Sequence, residues 1–279
     1  MKHLLSIVFA FALISAQGIR WESGTLQQVL DCSSQTVFVD CYTQTCPPCK
    51  MMLAKIFPTK EAGDYFNANF TNIKLDLGAP ENIWIAEKYD VSTFPTFLFL
   101  SPDGSELCRI VGASDTPGQF IARVEHAMDP ANRVEALVAN FNSTGNSEYL
   151  FKYLQRLQKE GQYRKLREYV INSYDKLSTT AISSNAVVSG NIVTDLRFWK
   201  YIKIAINLQD LSVLEKVLAN KSEFDKTIGK AKIEKDLYND LRYELNLYRR
   251  KGGNYPPANI QRAESIIQMF DPNRTTDSN

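Results

Sequence analysis

Val37-Phe38-Val39-Asp40-Cys41-Tyr42-Thr43-Gln44-Thr45-Cys46-Pro47-Pro48-Cys49-Lys50 is the stretch on which the reading of this chain turns. Its first half is β-branched and aromatic, as a buried strand requires. Its second half places two prolines directly after Cys46. Proline fits the first turn of a helix, where the backbone has no hydrogen bond to donate. The stretch therefore predicts a strand running into a helix whose first turn carries Cys46 and Cys49. Two thiols at this spacing can close a small disulfide ring, and the partial positive charge of the helix end lowers the pKa of the first. Cys46 is the expected nucleophile.

Outward from this point the pattern alternates. Trp21 to Leu30 reads as an amphipathic approach segment, and Thr36 to Tyr42 as the strand. Met51 to Phe57 continues the helix, Pro58 interrupts it, and Glu61 to Phe66 resumes it. A second strand is predicted at Thr71 to Leu77, a helix at Glu81 to Tyr89 and a third strand at Phe97 to Leu100. Ser101-Pro102-Asp103-Gly104 has proline and glycine where a tight turn wants them, so Glu106 to Val111 should return antiparallel. Gln119 to Met128 closes this part as a helix. Strand, helix, strand, helix, hairpin, helix describes an α/β layer with a mixed sheet.

Beyond Ala131 the strand signal fades. Tyr149, Leu150, Tyr153, Leu154 and Leu157 fall on one helical face, as do Tyr163, Leu166, Val170 and Tyr174. Trp199, Ile202 and Ile206 extend the pattern, as do Leu237, Leu241 and Leu245, and then Ile260, Ala263 and Ile267. This half is predicted to be all-α, interrupted at Ser178 to Ser189 and broken again at Gly252-Gly253-Asn254-Tyr255-Pro256-Pro257 before a last helix. The helices follow no strict repeat period, and the tail after Asp271 is expected to fray.

With 279 residues, 44% of them hydrophobic and 23% charged, the chain can build two ordinary cores. Its formal net charge is only +1. The basic residues of the C-terminal half are scattered among acids, and its aromatics lie at helical spacing, so nothing points to nucleic acid, nucleotide or phosphate. Lys2, the apolar run Leu4 to Ile14 and the small residues Ser15 and Ala16 form the pattern of a cleavable secretory signal over residues 1–16. The run is too short for a comfortable membrane span. Cleavage would leave a protein without a membrane span, secreted or periplasmic. Export would place five cysteines in an oxidising compartment. An odd number leaves at least one thiol unpaired or bonded to another chain. For Cys32, Cys41 and Cys108 the expected role is core packing.

These residues together resemble the thioredoxin family over roughly residues 20 to 128. The resemblance is carried by C-P-P-C-K at a strand-to-helix junction, Asp40 six residues before Cys46, I-K-L-D at 73–76, F-P-T at 94–96 and R-I-V-G at 109–112. The pattern is most similar to exported bacterial thioredoxin-like proteins with a helical C-terminal extension. It implies a thioredoxin-like domain over 17–130, followed by a helical domain over 131–279. It also implies a thiol-disulfide oxidoreductase that acts on protein thiols or disulfides and is served by an upstream electron donor, with no cofactor. By this resemblance Cys46 attacks and Cys49 resolves, the two forming the redox-active disulfide. Asp40 is the buried acid that assists proton movement at Cys49, and Lys74 its basic companion. Phe94 and Pro95 form a cis-proline turn whose main chain meets an extended substrate.

The motif departs from the family at Thr45, where tryptophan is usual, and at Pro47, which replaces the common glycine. Pro47 offers no N–H to a Cys46 thiolate, and no histidine lies between the cysteines. Both features point to a reductant or isomerase rather than a strong oxidant. Cys41, Cys46 and Cys49 also have the C-x4-C-x2-C spacing of one iron–sulfur loop, with Cys108 as a conceivable fourth ligand. Because Cys41 lies in a strand pattern and prolines follow Cys46, no metal is expected. A different reading makes the helical half the working surface of a binding or chaperone-like protein, with the dithiol secondary.

Overall fold

The computed structural model describes residues 18–180 and 191–271, and the chain divides into two compact units between Asp129 and Pro130. The proposed signal, residues 181–189 of the predicted interruption and the tail beyond Asp271 lie outside the described residues.

In the first unit the chain from Gly18 to Glu22 is pinned rather than helical. Ile19 donates its N–H to the Phe57 carbonyl at 2.9 Å, and Glu22 to that of Asn72 at 2.7 Å. Of the amphipathic approach segment Trp21 to Leu30, only the part from Leu26 is helical, as α1 (Leu26–Cys32). A reciprocal capping box sets its first residue: Thr25 Oγ1 accepts from the Gln28 N–H, and Gln28 Oε1 accepts from the Thr25 N–H.

Strand β1 (Val37–Tyr42) leads into α2 (Pro47–Met51), which continues as one wide π turn from Met52 to Ile56. Pro58 stops this helix, and Thr59, whose hydroxyl accepts from the Ala62 N–H, caps the next, α3 (Lys60–Asn69). β2 (Thr71–Asp76), α4 (Ile83–Lys88), β3 (Thr96–Leu100), β4 (Glu106–Val111) and α5 (Pro117–Met128) follow. The sheet order is β2-β1-β3-β4, with β1 parallel to β2 and the other neighbours antiparallel. The expected mixed sheet is present. Its hairpin turn closes with the Gly104 N–H donating to the Ser101 carbonyl at 2.8 Å.

Strand alternation sorts the core into two faces. Val37, Val39 and Cys41 join Leu98, Leu100, Ile73 and Leu75 on one side. On the other, Phe38, Phe97, Phe99 and Ile110 pack with Met52, Ile56, Phe66 and Phe120. Phe38 is the hub of this aromatic face, with ring centroids 4.6 Å from Phe66 and 5.2 Å from Phe99. By the same alternation Asp40 falls on the phenylalanine side.

The second unit is helical: α6 (Val134–Thr144), α7 (Ser147–Lys159), α8 (Tyr163–Thr179), α9 (Leu196–Ala205), α10 (Ser212–Ala219), the single turn α11 (Lys221–Phe224), α12 (Lys230–Lys251) and α13 (Pro257–Phe270). Gly145, at φ 68°, ends α6 in the left-handed conformation a C-terminal cap requires, and its N–H returns to the Phe141 carbonyl. The predicted faces meet in one core built on Leu150, Leu154, Val170, Trp199, Leu237 and Ala263. Tyr163 is a correction: it opens α8, so its ring projects from the helix end and is 42% exposed. Helix α8 also absorbs Ser178 and Thr179, which were expected to interrupt it.

Candidate functional site

Cys46 and Cys49 are joined by a disulfide with S–S 2.20 Å and Cα–Cα 5.3 Å. Strand β1 brings them to the C-terminal end of the sheet, and the prolines start the helix at once. Cys46 is the N-cap of α2, and its Sγ accepts the Cys49 N–H at 3.2 Å. Since Pro47 and Pro48 have no N–H, this is the first donor the helix can offer. Both cysteines are buried, Cys46 at 9% exposure and Cys49 at 2%.

Asp40 stands in the aromatic face at 2% exposure, with Phe97 opposite it on β3 and Lys74 opposite it on β2. Burial raises its carboxyl from the ordinary value to about 7, and the charge of Lys74 opposes that rise. The acid thus has a proton to exchange near neutrality. Lys74 is exposed and rests its ammonium 5.9 Å from the centroid of the Trp21 ring. Trp21 in turn packs on Phe57 and Phe38. Sequence reasoning missed Trp21, because no local pattern announces a contact between residues so far apart.

The Phe94–Pro95 peptide is cis, with Pro95 buried and Phe94 half-buried. Cys41 pairs with Thr96 across the sheet, so the residue before β3 lies at the sheet end from which Cys46 is carried. The Pro95 carbonyl accepts the Gly112 N–H at 2.8 Å, and the Ser114 N–H points to Met52 Sδ at 3.4 Å. The segment after β4 therefore touches both the cis turn and the helix of the cysteines. That contact, too, is invisible in the sequence.

Of the remaining cysteines, Cys41 and Cys108 pack in or against the core as expected, and Cys32 does not. Cys41 is fully buried on the face opposite Asp40, and burial pushes its thiol far up. Cys108 is half-buried, with its Sγ 3.5 Å from Met128 Sδ. Cys32 is exposed, since it is the last residue of α1 and falls off the face formed by Leu26, Val29 and Leu30. Among the described residues no three His, Cys, Asp or Glu side chains converge as metal ligands, and no helix is long and apolar enough to cross a membrane.

A family model described as a thioredoxin-like domain matches residues 27–128. A thioredoxin of Chlamydia muridarum is 39% identical over 83 residues, covering 30% of this chain and 74% of that protein. A protein disulfide-isomerase of Schizosaccharomyces pombe is 26% identical over 146 residues, or 50% of this chain. The match spans only 39% of the length of that isomerase. A solved thioredoxin structure from Thermus thermophilus is 21% identical, covering 43% of this chain and 93% of that one with a TM-score of 0.36.

Proposed function

We propose that this chain, which belongs to the thioredoxin family, is a protein-disulfide oxidoreductase working through Cys46 and Cys49. The observation that carries the reading is the disulfide itself, closed at a helix start with its first cysteine the less deeply buried and a buried acid of pKa about 7 in the preceding strand.

In the reducing direction the Cys46 thiolate attacks one sulfur of a substrate disulfide. That bond breaks, a Cys46–substrate disulfide forms, and the expelled sulfur takes up a proton. The Cys49 thiol then gives its proton to the Asp40 carboxylate and attacks Cys46 Sγ. The mixed disulfide breaks, the second substrate sulfur leaves as a thiolate that takes up a proton, and the Cys46–Cys49 pair is oxidised by two electrons. A neighbour held at bonding distance is needed because a single nucleophile would stay trapped on its substrate. Lys74 tunes Asp40 through its charge, and the main chain at Phe94 and Pro95 holds the substrate segment extended. An upstream thiol donor restores the dithiol.

The direction of transfer favours reduction or isomerisation. A thiolate with few donors is less stabilised, and Cys49 supplies the first main-chain N–H while the two prolines supply none. Export is supported by the apolar run Leu4 to Ile14 and the small residues after it.

Insulin reduction with dithiothreitol as donor tests the reading. The wild-type chain should accelerate precipitation of the insulin B chain, Cys46→Ser should reduce the rate to the uncatalysed background, and Cys49→Ser should accumulate a mixed disulfide visible by mass spectrometry. Equal turnover by all three proteins would remove the dithiol from the function.

A further inference from the structure

The segment Val111 to Ser114 leaves the last strand and has no sheet partner of its own beyond Val111, which pairs with Thr96. Its carbonyls need donors from elsewhere. One side chain supplies them: from the body of α5, Arg123 Nη2 donates to the Val111 carbonyl at 2.8 Å. Its Nη1 donates to the carbonyls of Gly112 at 3.1 Å and Ala113 at 2.9 Å, and to Ser114 Oγ at 2.7 Å. Four acceptors from four consecutive residues converge on one guanidinium.

We propose that Arg123 is a positioning residue for the substrate-docking edge of the redox site. The inference rests on the disulfide-exchange function proposed above. The braced segment is the one whose Gly112 N–H holds the Pro95 carbonyl and whose Ser114 N–H meets Met52 Sδ, directly after the turn that carries Cys49. Residues 111 to 113 are half-exposed, within reach of a bound chain. Gly112 adopts φ 87°, a conformation that turns the backbone sharply and that hydrogen bonding to a rigid partner keeps in place. A planar fork of fixed donors can define such a turn, whereas a lysine ammonium on the same stem supplies a point charge with no fixed directions. Arg123 touches neither sulfur nor Asp40 by any hydrogen bond, so its effect passes through the loop to the cis turn.

The test compares full-length wild type with Arg123→Ala and Arg123→Lys on insulin, alongside the equilibrium of the Cys46–Cys49 disulfide with dithiothreitol. Arg123→Ala should raise the KM for insulin about tenfold, while kcat and the dithiothreitol equilibrium constant stay within about twofold of wild type. Arg123→Lys should fall between the two. A wild-type KM in the folded Arg123→Ala protein overturns the inference, and so does an equilibrium constant that shifts in step with KM, which marks general loosening of the site. If Arg123→Ala does not fold, Arg123→Lys decides: a raised KM at an unchanged equilibrium constant supports positioning, and a wild-type KM overturns it. Wild-type protein inactive on insulin would instead sink the exchange reading itself, and this inference with it.

Discussion

Two carboxylates, one from each unit, are held in opposite ways. In the helical unit half-buried Asp236 has partners: Trp199 Nε1 donates to it at 2.7 Å and Lys232 reaches it at 2.9 Å. Burial pushes the Asp236 carboxyl up, yet those donors and the charge of Lys203 outweigh it and leave the pKa lowered. In the sheet unit, buried Asp40 lies opposite Phe97 on β3 and in register with Lys74 on β2. Its pKa rises to about 7. A buried charge with donors is a fastener, whereas one without them is a proton carrier whose burial works against the fold. The lesson is that Asp40 and Asp236 differ in both depth and partners, and the two differences act on the carboxyl pKa in the same sense.

The comparison breaks first if the aromatic face is not what encloses Asp40. Phe38→Ala removes the hub ring and should cost about 3–5 kcal/mol, with amide exchange accelerated through β1 while α12 keeps its protection. Equal loss of protection in both units would mean that the units are not separate cores.

Asp40→Asn sharpens the contrast through pH. Below pH 4 the carboxyl is protonated in both the folded and unfolded chains and contributes nothing. Between about 4 and 7 the folded chain retains a proton that the unfolded chain has released, so raising the pH favours unfolding, and above 7 the whole penalty is present. Asparagine should therefore stabilise the protein at pH 8 by on the order of 2–4 kcal/mol and leave pH 4 unchanged, as read from urea midpoints. It should also slow insulin reduction and flatten the rise in rate through pH 7. A gain of equal size at both pH values would refute desolvation as the cause.

Trp199→Phe probes the opposite case. It keeps the packing against Phe224 but removes the donor to Asp236, and should cost about 1–3 kcal/mol. Because Lys232 and Lys203 remain, the Asp236 pKa measured by NMR should move up without reaching the range of Asp40. A stability unchanged within error would show the hydrogen bond to be incidental.

Much of this architecture was legible in the chain. The β-branched and aromatic run Val37 to Tyr42, the prolines after Cys46 and the turn residues at 101–104 predict strand, helix start and hairpin, because each follows from local sterics. The expectation failed where distant groups intervened. The segment before α1 is extended because Ile19 and Glu22 hydrogen-bond to Phe57 and Asn72. Cys32 is exposed because it lies off the buried face of a short helix.

By itself the sequence determined the dithiol, its place at a helix N-terminus and the strand position of Asp40. Spacing and proline chemistry act within a few residues and require no knowledge of the rest of the chain. Only the tertiary structure decided that Asp40 stays protonated to about pH 7, that Gly112 meets Pro95, and that Arg123 gathers four acceptors from one loop. Desolvation and convergent hydrogen bonding depend on which surfaces exclude water together, and only the folded chain defines those surfaces.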